Sequence, residues 1–246
     1  MLNPDVGGAS VGSGGRYLKI GHRGASAYAP ENTLASIRRA AELGADMVEL
    51  DVHCCRDGTP IIIHDPEISR TTDGRGSVYD YRLEEIKQFD AGGGERIPTL
   101  DEAVQCCLGL GLGLYLELKD VFCIPSVAAA VRADDLFERC IVSSFRVDWL
   151  AELKAQESRI RTAVLFGSIH VDPVALARAA GAAFVHPGWE MQALEPHKLL
   201  TPEWIARVRN AGLGIIAWHE ERPEEIAALR ALGVDGICSN APDLLV

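Results

Sequence analysis

Eight short β-branched or aliphatic runs recur along the chain: "YLKIGHRG", "MVELDV", "GLYLELK", "CIVSSF", "TAVLFG", "AFVHPG", "GIIAWH" and "DGICSN". Stretches with helical spacing separate them. They begin about 20 to 30 residues apart, with one longer gap after the second, and that rhythm suits strand-helix units feeding a parallel sheet. Eight such units predict an α/β fold, a (β/α)8 TIM barrel. Helices are expected in "ENTLASIRRAAELG", where Leu34, Ile37 and Ala41 share a stripe, and in "TLDEAVQCCLGL", "VDWLAELKAQ", "DPVALARAAG", "TPEWIARVRNAG" and "RPEEIAALRALG". Several of these open on Thr, Asp or Pro and close on Gly, which is cap chemistry. After the eighth run only "PDLLV" remains, so the last helix is expected to be short or missing.

The longer gap holds a ninth strand-like run, "TPIIIHD", too close to "MVELDVHCC" for a parallel crossover. The join must be a small hairpin inserted after the second strand. Asp57-Gly58 favours a two-residue type I′ turn, and a tip at those residues sets Asp51 directly opposite His64. Side chains alternate along a strand, so Glu49, Asp51 and His64 are expected on one face.

The working face of such a barrel lies at the C-terminal ends of its strands. The polar residues there are His22 and Arg23, Glu49 and Asp51, His64, and Glu117 and Lys119. Glu117 and Lys119 repeat the i, i+2 spacing of Glu49 and Asp51, so all four should point inward. Three inward carboxylates repel one another, and a hard divalent cation, Mg²⁺ or Ca²⁺, resolves the conflict. The plainer alternative is a set of structural ion pairs with Arg23 and Lys119. Two histidines beside such a site suit a general acid and a general base, and the two cations suit an anionic oxygen, so the set points to phosphodiester cleavage.

Other chemistries fit less well. His53 and His64 lack the spacing of a zinc protease motif, Ser143-Ser144 has no nucleophile elbow, and "AGGGERIP" and "TTDGRGS" read as loops. Cys54 and Cys55 read as bystanders. The seven cysteines include no CxxC pair and suit a reduced, cytoplasmic protein. A net charge of -11 with no basic block argues against a nucleic-acid partner, and no apolar run is long enough to span a membrane. Residues 1–16 read as a flexible tail and 17–246 as one domain.

The quoted motifs resemble those of the glycerophosphodiester phosphodiesterase family. "GHRGASAYAPENTLASI" is similar to its HRG-x-PENT opening, and "GADMVELDVHCCRDGTPIIIHD" is similar to its E-x-D … DG … HD signature. "ISRTTDGRGSVYD", "IPTLDEAV", "LYLELK", "VSSF" and "GVDGICSNAPDLL" follow in the family's order from about residue 18 onward. The resemblance implies a barrel with a hairpin insertion and metal-dependent hydrolysis of a small glycerophosphodiester to glycerol 3-phosphate and an alcohol. It implies Glu49, Asp51 and Glu117 as metal ligands, His22 and His64 as proton-transfer groups, and Arg23 and Lys119 as phosphate holders.

Two departures stand out. Where many relatives read W-T-V-N, this chain reads "WHEE", which keeps Trp218 as a wall for the glycerol but adds His219 and two acids. The stretch 83–98 has room for only one small helix, which predicts an open pocket, and His186 is a candidate rim residue. Two further readings remain: a lysophospholipase D or sphingomyelinase-D-like enzyme acting on lipid phosphodiesters, and a catalytically silent phosphate-binding protein on the same barrel. No apolar stretch suited to the lipid reading stands out in the sequence, and the intact acids and histidines count against the silent one.

Overall fold

The computed structural model describes residues 17–245, so the expected tail at 1–16 lies outside the described residues. Eight parallel strands close into a barrel: β1 (Leu18–Gly21), β2 (Met47–Cys54), β4 (Gly113–Leu118), β5 (Cys140–Ser144), β6 (Arg161–Phe166), β7 (Phe184–Pro187), β8 (Gly214–Ala217) and β9 (Gly236–Ser239). The ring closes where β1 pairs with β2, Ile20 beside Met47, and with β9, Ile20 beside Cys238. Strand β3 (Pro60–Ile62) lies antiparallel on β2 as the expected insertion.

The helices α1 (Leu34–Glu42), α3 (Leu100–Leu110), α4 (Ile124–Ala133), α5 (Val147–Gln156), α6 (Pro173–Ala180), α7 (Pro202–Asn210) and α8 (Pro223–Ala231) surround the barrel, and α2 (Leu83–Ile86) is a single turn in the insertion. Their ends follow the local chemistry. Thr99 and Glu102 form a reciprocal capping box at α3, Asp172 accepts from the Val174 and Ala175 amides at α6, and Gly111 and Gly181 end those helices in the left-handed conformation. The closing element after β9 is only a 3-10 turn, Pro242–Leu245. Among the described residues no helix is long and apolar enough to cross a membrane.

The hairpin register differs from the expected one. Val52 pairs with Ile62 and Cys54 with Pro60, and the last ladder bond runs from the Ile63 amide to the Asp51 carbonyl, so Asp51 faces Ile63 and not His64. The loop has three residues, not two. The Gly58 amide closes a turn on the Cys55 carbonyl, Gly58 takes φ +81, and the Cys55 amide bonds Thr59. A type I turn followed by a left-handed residue is the usual three-residue hairpin, and Asp-Gly serves it as well as it serves a type I′ turn.

Inside the barrel, Ile20, Met47, Tyr115, Ile141, Ala163, Phe184, Ile216 and Cys238 pack into one apolar plug. Each fully buried aliphatic side chain of this kind contributes about 1.5–3 kcal/mol. Because the side-chain period is two, the residue above each plug member also points inward. Above Met47 come Glu49 and Asp51, above Tyr115 comes Glu117, and above Ile20 comes His22. The inward columns thus turn from apolar to ionisable at the C-terminal ends of β1, β2 and β4. Register completes the arrangement, since Asp51 stands level with Glu117.

Candidate functional site

The β1–α1 turn carries the first two groups. Arg23 adopts φ 54, Gly24 φ +81 and Asn32 φ 57. A β-carbon on Gly24 would collide with Ser36, whose hydroxyl donates to the Arg23 carbonyl at 2.9 Å. Non-glycine residues held in this region store roughly 1–3 kcal/mol each, which the surrounding bonds must offset. Here the strained turn aims the Arg23 amide at Glu49 Oε2, 2.9 Å away, and the Asn32 amide bonds the Arg23 carbonyl at 3.0 Å. The Asn32 side chain donates to Asp51 Oδ2 at 2.8 Å.

Glu49, Asp51 and Glu117 are all buried, with ligand atoms within 4.8 Å of one another. Lys119 Nζ lies 2.7 Å from Glu117 Oε1 and 3.3 Å from Asp51 Oδ1, and Arg23 Nε lies 3.6 Å from Asp51 Oδ2. Burial raises all three carboxyls, but the outcomes diverge. For Asp51 the charges of Lys119, His64 and Arg23 outweigh burial and pull the group below its ordinary range. Glu117 is pushed up to about 7 by burial and Asp51, with Lys119 opposing. Glu49 is raised well above its ordinary range, by burial and then by its two acidic neighbours. Glu49 Oε1 is buried without a hydrogen-bond partner among the described residues. One orphaned carboxylate oxygen and an all-oxygen donor set fit a hard divalent cation.

The histidines flank this cluster. His22 is buried with Nε2 3.9 Å from Glu49 Oε2, and Nδ1 2.7 Å from Asn240 Oδ1. Burial and the Arg23 charge hold its imidazole down at about 3, so it is neutral in the folded protein. His64 follows the end of β3. It leaves the ladder, so it reaches the site without standing opposite Asp51, and the two remain close enough for Asp51 to raise its pKa against a larger lowering from burial. Its Nδ1 lies 2.6 Å from Asp65 Oδ1. Asp65 pairs with Arg70, Arg70 with Glu31, and Glu31 with Arg23, an ionic chain that ties the insertion to the β1–α1 turn.

Trp218 stands against His22 with ring centroids 6.1 Å apart, and also meets His186 and Phe145 at 5.4 Å. His219 stacks on His22 at 4.7 Å. The residues expected to act at the site are therefore at this end of the barrel, but His186 is not a rim residue: it is buried against Tyr115 of the plug with Trp218 packed on it. Sequence reasoning passed over Asn32 and Asn240, because a loop asparagine carries no periodicity and reads as turn chemistry. It also missed an apolar rim. Phe122 (76% exposed), Phe145, Ile169, Met191 (86%) and Leu194 (93%) all project from segments that follow β4 to β7. They are scattered in sequence, so no single stretch betrays them.

A barrel that concentrates such groups at this end belongs among the phosphoric diester hydrolases, and comparison with known proteins agrees. The model of the glycerophosphoryl diester phosphodiesterase family matches residues 22–244, and the chain belongs to that family. A glycerophosphodiester phosphodiesterase of Caldanaerobacter subterraneus is 34% identical, with 94% of this chain and 97% of that protein covered. Among solved structures, an Oleispira antarctica phosphodiesterase in complex with the product sn-glycerol-3-phosphate has a TM-score of 0.83 at 31% identity, covering 92% of this chain and 94% of that one. A glycerophosphodiester phosphodiesterase from Agrobacterium tumefaciens has a TM-score of 0.80 at 29% identity, covering 92% and 97%.

Proposed function

We propose that the chain hydrolyses glycerophosphodiesters to glycerol 3-phosphate and an alcohol, with a divalent cation held by Glu49, Asp51 and Glu117. The observation that carries this reading is the buried three-carboxylate cluster with His22 3.9 Å from Glu49 and Lys119 across Glu117. When bound, Mg²⁺ or Ca²⁺ would neutralise these acids and draw charge from phosphoryl oxygens. Arg23 and Lys119 supply the remaining positive charge around the phosphate. Trp218 forms the apolar wall against which the glycerol carbons rest.

Proton transfer falls to the histidines. The Nδ1 of His22 is committed to Asn240, which leaves Nε2 as a lone-pair acceptor, so His22 is the base of the first step. It takes the proton of the glycerol hydroxyl next to the ester as that oxygen forms a new bond to phosphorus. His64, with Asp65 behind its Nδ1, is the acid and delivers a proton to the departing alkoxide as the phosphorus–alcohol bond breaks. In the second step water attacks the cyclic phosphate, neutral His64 accepts its proton, and protonated His22 returns a proton to the glycerol oxygen. Both groups end as they began.

A second reading concerns the alcohol. The rim formed by Phe122, Phe145, Met191 and Leu194 favours an apolar group there, as in a lysolipid, and Phe145 connects that rim to Trp218. One assay addresses both readings: release of choline, ethanolamine or glycerol from their glycerophosphodiesters and from a lysolipid, with and without EDTA. EDTA-sensitive release that disappears in His22→Ala and His64→Ala supports the proposal. No metal-dependent release from any substrate, or full activity in either variant, would remove it.

A further inference from the structure

Beside the carboxylate cluster, two cysteines stand closer together than packing explains. Cys54 ends β2, and Cys123 lies in the 3-10 turn Val121–Cys123 that follows β4. Both are buried, and their sulfurs are 2.9 Å apart, well inside the roughly 3.5–4.0 Å of ordinary van der Waals contact. Asp120 completes the group, with ligand atoms of all three residues within 4.8 Å of one another. Asp120 is only 6% exposed. One of its oxygens, Oδ1, accepts from the Phe122 amide at 3.0 Å, whereas Oδ2 is buried without a hydrogen-bond partner among the described residues. The Tyr79 hydroxyl, pushed up to about 12 by burial and the Asp120 charge, approaches this carboxylate without closing a well-formed bond to Oδ2.

A buried carboxylate oxygen with no such partner is costly, and the carboxylate that carries it sits within 4.8 Å of two soft sulfur donors. A disulfide would account for the sulfurs alone and leave Asp120 unexplained. A borderline-soft divalent ion accounts for all three, since Zn²⁺ takes Cys sulfur and Asp oxygen together, whereas Mg²⁺ and Ca²⁺ prefer all-oxygen shells. We propose that Cys54 Sγ, Cys123 Sγ and the Asp120 carboxylate form a second, three-ligand cation site that takes a thiophilic divalent ion of the Zn²⁺ type. As the two metal–sulfur bonds form, each thiol releases its proton to solvent. Seating a tetrahedral ion opens the sulfurs from 2.9 Å to roughly 3.7 Å and leaves a fourth position for water. The ion fastens the turn after β4 to the end of β2. Its outer shell leads toward the catalytic face, because His53 bonds the Tyr79 hydroxyl through Nδ1 and the His64 carbonyl through Nε2, each at 3.2 Å.

The inference stands apart from hydrolytic activity, and its test reads the thiolates directly. The full chain is reduced, stripped with EDTA and titrated with Co²⁺. The expected result is a near-ultraviolet thiolate-to-cobalt charge-transfer band that saturates at one equivalent, is lost on adding Zn²⁺ and survives excess Mg²⁺. Glu49→Gln keeps the band, and Cys54→Ser or Cys123→Ser removes it. Asp120→Asn, which retains a capping oxygen, keeps the fold by circular dichroism and weakens Co²⁺ binding by at least about tenfold. No band in the reduced, folded protein would overturn the site, as would Asp120→Asn binding Co²⁺ like wild type. A chain isolated two hydrogens lighter, with two thiols fewer and no capacity for Co²⁺ after reduction, would assign a disulfide instead.

Discussion

The imidazole Nδ1 of His22 and the side-chain oxygen of Asn240 meet at 2.7 Å across the seam where the first and last barrel strands pair. The His22 amide donates to the Ser239 carbonyl at 2.8 Å, Ser26 Oγ lies 2.7 Å from the same Asn240 oxygen, and the Asn240 amide donates to Glu221 at 2.8 Å. Asn240 is thus held from several sides and fixes which ring nitrogen faces the carboxylates. On the proposed role of His22 as base, Asn240 is a positioning residue. Asn240→Ala is expected to lower kcat by about 10- to 100-fold, part of the roughly 10²–10⁴ that a positioned base contributes, with KM little changed. Steady-state kinetics check this, and a raised KM with unchanged kcat would place Asn240 in binding instead.

If Glu49, Asp51 and Glu117 hold the proposed cation, its affinity depends on pH. Glu117 is pushed up to about 7 and Glu49 well above its ordinary range, so both hold protons at pH values where free carboxyls do not. A cation needs them ionised, so affinity for Mg²⁺ or Ca²⁺ is expected to rise with pH through neutrality, with protons released on binding. Calorimetric titration in buffers of different ionisation enthalpy measures that release. Thermal unfolding adds a second readout: at about 100 times the Kd, the ion should stabilise the fold by about 2.7 kcal/mol, and Asp51→Asn should abolish the gain.

Much of this arrangement is legible in the chain because strands and helices impose different periods. The eight runs follow from their apolar composition and spacing, the hairpin from a join too short for a crossover, and the inward pairs Glu49/Asp51 and Glu117/Lys119 from alternation. The hairpin register does not, because Asp57-Gly58 serves two loop lengths and one residue of loop shifts every partner on the strand. The helix Ile124–Ala133 is equally hard to single out, since its Val- and Ala-rich sequence is apolar on most sides and Val also favours strands. Asn32 and Asn240 act through contacts made across 19 and 218 residues of sequence, which no local pattern encodes.

Two glycines in the same backbone region separate conformational strain from steric exclusion. Gly58 has φ +81 and open space where a β-carbon would sit, so Gly58→Ala should cost about 1–2 kcal/mol and leave kcat unchanged. Gly24 has the same φ but faces Ser36, so Gly24→Ala adds a collision to the strain and displaces the Arg23 turn. The expected cost is about 3 kcal/mol or more, together with loss of activity. Denaturant unfolding and activity assays distinguish the two, and equal costs would mean that the Ser36 contact does not constrain the turn.

His186 gives the fold a pH dependence whose sign can be worked out. It is buried beneath Trp218, its Nδ1 lies 2.5 Å from the Tyr115 hydroxyl, and its Nε2 has no partner among the described residues. Burial holds the imidazole down at about 3, whereas in the unfolded chain it titrates near 6.5. Between those values the unfolded state binds a proton that the folded state does not, so this group's contribution to stability is complete above about 6.5 and is lost as pH falls toward 3. The slope is about 1.4 kcal/mol per pH unit. The raised Glu49 and Glu117 carboxyls act in the opposite sense, so the difference between two proteins is the informative quantity. His186→Gln should bring the proton uptake on unfolding between about pH 4 and 6 down by about one proton relative to wild type, whatever its overall stability. Parallel stability-versus-pH curves for the two proteins would show that His186 accepts its proton inside the folded barrel.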